Sequence, residues 1–266
     1  MIEVLSIIVS FILSANTYTV AYTQDREKIN NQRNTYVQED ILMDNIKAIK
    51  GSSPSYSSSS VSGWWEYPKD IKAVKRGGDD LLVLVNKEYQ LPSTYIPSDL
   101  VSASLSGIRK GESFLLRNIL INDLKDLVND AKNDGIDLSI RSGYRSFYVQ
   151  QSTYNYWLSY NGGSVAAADK ISARPGHSQH QLGTAVDFSS SEIQDGLGGV
   201  FSSTQASVWL ANNAWKYGFI IGYPQGYESI TGYSYESWHY RYIGKAYAQE
   251  VHSSGMILEI YLRGKN

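Results

Sequence analysis

The chain has 266 residues, 42% of them apolar and 19% charged, and a formal net charge of −2. That length holds one large domain, or one domain with appendages, and the composition supports a packed core and excludes a wholly disordered chain. Near-neutral charge excludes the basic footprint of a nucleic-acid binder, and the absence of cysteine excludes a thiolate metal site while leaving the redox compartment open.

Val4 to Leu13 is an apolar run broken only by Ser6 and Ser10, and uncharged sequence continues to Gln24, with small residues at Ala15 and Ala21. This pattern predicts a secretory signal over 1–22, or a membrane anchor over 4–22, close to the ~20 residues that a span requires. A buried hairpin helix also fits, and Glu3 stands where a positive leader is usual. Residues 23–50 are polar with thin apolar content and read as a stalk. Residues 51–63, GSSPSYSSSSVSG, form a low-complexity linker. The folded domain is expected over 64–266.

Within that domain, Leu81 to Val85 reads as a short buried strand or extended run, and Pro92 and Pro97 favour loop over 86–97. Leu116, Ile119, Leu120, Leu124, Leu127, Val128 and Ala131 recur at helical spacing, which predicts an amphipathic helix over 114–133. A strand is expected over 138–141, a helix over 147–160 and a strand over 185–188. Residues 204–217 read as a helix, with Ser202 or Ser203 as its cap and Gly218 as its stop. Residues 235–242 are strand-like, and 246–256 are the terminal helix. Helices and strands mix without regular βαβ alternation, so the fold class is α+β with a small, mainly antiparallel sheet and flanking helices.

Two short motifs carry the chemistry. Ser178-Gln179-His180-Gln181-Leu182-Gly183-Thr184-Ala185-Val186-Asp187 offers an imidazole and a carboxylate, and Glu236-Ser237-Trp238-His239 offers a carboxylate and an imidazole. A catalytic zinc site takes three His, Asp or Glu ligands, an open fourth position and a nearby base. Glycines flank His180, which suits a tight turn, and Asp187 follows two apolar residues, which suits a rigid strand. Taken alone, the His180 and Asp187 spacing also fits a hydrogen-bonded surface pair, and His239 fits a buried, hydrogen-bonded histidine. On a regular strand Glu236 and His239 do not share a face, so aiming both at one ion needs a turn or bulge between them. Twenty-one Tyr and six Trp suit a buried core first and a polar-ligand groove second.

Ser142-Gly143-Tyr144-Arg145-Ser146, Gln150, the run from Arg174 to Asp187, and the run from Glu236 to Gly244 together resemble the VanY-like D-alanyl-D-alanine carboxypeptidases. That group is similar to LD-carboxypeptidases, VanX dipeptidases and some phage endolysins. The resemblance covers 80–245. Gln179 stands where Glu is common in the family, and Ser237 where Pro is common. The resemblance implies a zinc site in a groove of a hedgehog-like peptidase fold. It implies one Zn2+ held by His180, Asp187 and His239, with Glu236 as general base and Arg145 as the partner of the oxyanion. It further implies Ser146, Gln150, Ser178 and Tyr223 as substrate contacts, with Arg141, His177, Trp238 and Arg241 in support. His252 reads as a surface residue.

The expected activity is removal of the terminal D-Ala from peptidoglycan stem peptides by an extracytoplasmic enzyme, secreted or membrane-anchored, that works as a monomer. An LD-carboxypeptidase acting on tetrapeptides, or an endopeptidase cutting deeper, keeps the same chemistry. A non-catalytic zinc-bearing recognition module, for which the hedgehog domain is the precedent, is the alternative of another class.

Overall fold

The computed structural model describes residues 66–266, so the signal or anchor, the stalk and the linker expected over 1–63 lie outside the described residues. The chain opens with a short parallel pair, β1 (Lys72–Ala73) and β2 (Tyr89–Gln90), and an antiparallel pair, β3 (Leu100–Ser102) and β4 (Leu115–Arg117). There follow α1 (Ile121–Asn133), β5 (Leu138–Ser142), α2 (Phe147–Tyr160), α3 (Val165–Ile171) and β6 (Ala185–Ser190). The remainder is α4 (Gln205–Asn213), β7 (Phe219–Ile221), α5 (Glu228–Thr231), β8 (His239–Tyr242), α6 (Lys245–Ser254) and α7 (Leu258–Lys265). The central sheet runs β5-β6-β8-β7 with every neighbour antiparallel, as the α+β reading expects.

α1 forms where apolar residues fall at helical spacing, and it buries Ile121, Leu124, Leu127 and Ala131. These pack in one core with Ile140 of β5, Val186 and Phe188 of β6, and Tyr240 of β8. Each full burial of a large apolar side chain is worth about 1.5–3 kcal/mol, so this helix braces the sheet that carries the site. Among the described residues no helix is long and apolar enough to cross a membrane.

The structure departs from the expected elements where tertiary bonding outweighs local pattern. The helix expected over 114–133 starts only at Ile121, because 115–117 pair with 100–102 and the Arg117 amide donates to Gly183 O at 2.9 Å. Ile119, expected on the apolar face, is 48% exposed on the intervening 3-10 turn. Residues 81–85 are not a strand: Leu81 and Leu82 lie in a turn closed by the Val83 amide donating to Asp80 O at 3.1 Å, and 83–85 are irregular. Buried Arg241 donates to Leu81 O at 3.1 Å and Val83 O at 3.4 Å, in place of a ladder partner. The 204–217 helix divides into α4 and a 3-10 turn, and its cap is Thr204, whose Oγ1 accepts from the Ser207 amide at 3.0 Å. The last helix is α7 rather than the one expected over 246–256, which is α6.

Candidate active site

Strand register brings the first two groups together. β6 and β8 pair so that Asp187 lies directly opposite His239, and opposed residues project from the same face. His180 comes from the 3-10 turn Gln179–Leu182, whose N-cap Ser178 accepts from the His180 amide at 3.3 Å. Gly183 ends that turn at φ 68°. A Cβ there would sit 3.0 Å from both Arg117 Cγ and Leu100 Cδ2, so the turn depends on glycine twice over.

Hydrogen bonds on the far side of each ring set which nitrogen faces inward. His180 Nδ1 donates to Gly143 O at 2.7 Å, leaving Nε2 at 3.2 Å from Asp187 Oδ2. His239 Nε2 donates to Gln179 Oε1 at 3.1 Å, leaving Nδ1 at 2.9 Å from Asp187 Oδ1. Two imidazole lone pairs therefore point at two carboxylate oxygens, all buried, with donor atoms lying within 4.8 Å of one another. Acceptors facing acceptors in a dry site need a cation or extra protons between them. Burial, reinforced by Arg145, lowers His180 to about 4, so it carries no proton to share near neutrality. Burial acts to raise the Asp187 carboxyl, but the His180 and His239 imidazoles outweigh it and hold the group well below the usual carboxylate range. The site thus keeps an ionised carboxylate and a neutral imidazole in place. Two nitrogens and an oxygen at these separations suit one tetrahedral zinc ion.

Glu236 reaches the same point from the turn before β8. Its amide donates to Tyr223 O at 3.0 Å, the His239 amide donates back to Glu236 O at 3.3 Å, and Glu236 Oε2 lies 3.9 Å from His239 Nδ1. This is the turn that the sequence requires between the two residues. Burial and the Asp187 charge push the Glu236 carboxyl well above its ordinary range, while Arg145 opposes them. A carboxylate that readily takes a proton results, and a bound dication acts in the opposite sense.

These groups line an open cleft. Arg145, Ser178, His180, Asp187, Tyr223, Glu236 and His239 all border it. The Arg145 amide donates to His180 O at 3.1 Å, which fixes the start of α2 against the Gln179–Leu182 turn. Tyr223 stacks on His239 with ring centroids 4.8 Å apart. Two of the expected substrate contacts sit elsewhere. Ser146 is the N-cap of α2, accepting from the Val149 amide at 3.3 Å, and Gln150 is buried behind the cleft wall, donating to Ala173 O at 2.7 Å. Gln150 thus shapes the wall from behind. His177 also lies away from the cleft, with Nδ1 2.7 Å from Asn86 O, and His252 stacks on Trp215 at the surface.

Sequence reasoning missed three features. Gln179, noted only as a departure from the family, holds His239 in its tautomer. Gly222 lets the His239 ring approach, since a Cβ there would lie 2.6 Å from His239 Cδ2. Thr153, Trp157 and Tyr233 complete the cleft wall; the signal for Trp157 was its place one turn beyond Thr153 on the helix that begins at Ser146.

The VanY family model, D-alanyl-D-alanine carboxypeptidase, matches residues 113–245. YodJ of Bacillus subtilis (strain 168), which carries a carboxypeptidase name, is 39% identical over 203 residues, covering 74% of each chain. The structure is similar to that of the LD-carboxypeptidase LdcB, at 36% identity and a TM-score of 0.64, over 73% of this chain and 93% of that one. It is also similar to a variant of the vancomycin resistance D,D-pentapeptidase VanY in complex with Zn(II), at 33% identity and a TM-score of 0.56, over 68% and 98%.

Proposed function

We propose, from the premise that this chain belongs to the VanY family of D-alanyl-D-alanine carboxypeptidases, that it trims the stem peptides of cell-wall peptidoglycan. It is a zinc metallopeptidase of the D,D-carboxypeptidase type. The observation that carries the site reading is the convergence of His180, Asp187 and His239 on one point, with Glu236 Oε2 3.9 Å from His239 Nδ1. In this reading those three residues hold one zinc ion per chain. When bound, the ion supplies a polarised scissile carbonyl and a more acidic water.

The chain's own residues then divide the remaining work. Glu236 takes a proton from the attacking water and returns it to the leaving amine of D-Ala. The Arg145 guanidinium keeps its charge at any working pH and balances the negative charge that develops on the carbonyl oxygen. Ser178 and Tyr223 border the path of the peptide, and the buried Tyr223 face excludes water from one side. Near-neutral charge fits a peptide substrate and gives no support to nucleic acid.

Defined tri-, tetra- and pentapeptide muropeptides, with products identified by mass, test the cut. Loss of one D-Ala from the pentapeptide alone is expected. Likeness to LdcB favours a second reading, an L,D cut; pentapeptide left intact while tetrapeptide shortens would establish it and remove the first. Location follows from the substrate, which lies outside the cytoplasmic membrane, and is supported by the apolar run over 4–13 and the uncharged sequence after it, which serve as cleaved signal or anchor. A reporter active only outside the cytoplasm, fused after Gly63, should be active; silence would overturn export.

A further inference from the structure

We propose that the outer face of α2 is a saccharide-binding surface that receives the amino-sugar chain from which the stem peptide hangs, a reading that rests on the substrate class proposed above. The helix carries no Asp, Glu, Lys or Arg in its 14 residues. A surface helix ordinarily turns a charged face to water. This one turns out rings, amides and hydroxyls: Tyr148, Tyr160 and Tyr156 are 62%, 51% and 38% exposed, and Gln151, Ser152, Asn155 and Ser159 are exposed beside them.

Three of the rings form one cluster. Trp157 meets Tyr156 and Tyr160 edge-on, with centroids 5.2 and 5.5 Å away, and Tyr156 stacks on Tyr160 at 6.2 Å and 27°. The cluster is continuous with the cleft, because Trp157 and Thr153 line it together with Arg145 and His180. Flat apolar faces rimmed by neutral hydrogen-bonding groups match a pyranose, which has an apolar C–H face and a rim of hydroxyl and acetamido groups. A polyanion would call for cations that the helix lacks.

Reach agrees with chemistry. The four residues between the scissile bond and the sugar span ~13–14 Å when extended. α2 begins at Phe147, just after Arg145 and the N-cap Ser146 beside the His180 turn, and Trp157 lies ~15 Å further along the axis at 1.5 Å per residue. The first sugar therefore arrives at the last turn of the helix.

The test uses the zinc-loaded full chain and the double variant Tyr156→Ser, Tyr160→Ser, neither residue bordering the cleft. One probe is a β-1,4-linked N-acetylglucosamine tetramer without any peptide, titrated by NMR. The other is the ratio of kcat/KM for a disaccharide-linked pentapeptide over the free pentapeptide. The wild type should bind the tetramer, the double variant should bind it roughly tenfold more weakly, and the ratio should fall by a similar factor with free-peptide turnover unchanged. Tyr160→Phe, which keeps the ring face, should retain binding. No tetramer binding by the wild type, binding indifferent to the two tyrosines, or equal losses on both substrates would overturn the surface. If neither peptide is cut yet tetramer binding still depends on the two tyrosines, the surface stands and the proposed reaction falls.

Discussion

His239 is gripped by the Tyr223 ring on one face and by Gln179 at Nε2. The acceptor at Nε2 decides that Nδ1 is the nitrogen free to bind a metal, and an acceptor behind a ligating imidazole strengthens it. Here a neutral amide supplies that acceptor without adding charge. Gln179→Leu removes the acceptor and keeps the bulk, so zinc affinity should fall roughly 10–100-fold in a chelator competition. In the proposed reading Glu236 takes part in the reaction and not in the grip. Glu236→Gln should leave close to one zinc per chain by metal analysis and reduce kcat/KM by at least about 10^2–10^4. Retained activity would show that Glu236 is not the base, and a wild type inactive on every stem peptide would leave a recognition module as the better description.

At the scale of elements, the site depends on how closely β7 and β8 approach. Gly222, just past β7, donates to His239 O at 2.9 Å and has no side chain in the space that the His239 ring fills. Gly222→Ala should displace the ring, destabilise the fold by about 1–3 kcal/mol and lower zinc content, read by thermal melts alongside metal analysis. Such a demand is invisible in sequence, because Gly222 followed by Tyr223-Pro224 reads only as a turn. What was legible followed local rules. The strand carrying Asp187 and the helix at 147–160 declare themselves by spacing or by glycine placement. Legibility failed where partners distant in sequence decide. Residues 115–117 carry a helical pattern yet pair with 100–102, Leu81 to Val85 are held by Arg241, and Gln150 turns from the cleft to Ala173.

Across the whole domain, the C-terminal helix is wired to the loop around the metal turn. Asn86 Nδ2 donates to Glu259 Oε1 of α7 at 2.7 Å, and Asn86 O lies 2.7 Å from His177 Nδ1. Burial pushes Glu259 up to about 7 despite Arg263 at 2.9 Å and the Asn86 bond. The sign follows: the folded state holds this proton more tightly than the unfolded chain. The contribution to stability is therefore full below the unfolded carboxyl range near pH 4.5 and is lost as pH rises through 7. Glu259→Gln mimics the protonated form. Denaturant unfolding at pH 4.5 and pH 8 should show the two proteins alike at the lower pH. The variant should be more stable at the higher pH, by up to an amount on the order of 3 kcal/mol.

The register that sets Asp187 opposite His239 gives the cation a second office, that of a clasp. Of the three proposed ligands, Asp187 and His239 lie 52 residues apart along the chain, so a bound ion closes a long loop much as a covalent cross-link would. The unfolded chain has no such preformed grip. At a free zinc level of 100 times Kd the clasp adds about 2.7 kcal/mol, which for a domain of this size corresponds to roughly 5–10 °C in melting midpoint. Chelation should lower the midpoint by that much and open the domain to proteases in step. Metal scarcity would then register as faster turnover of the protein as well as slower turnover of its substrate.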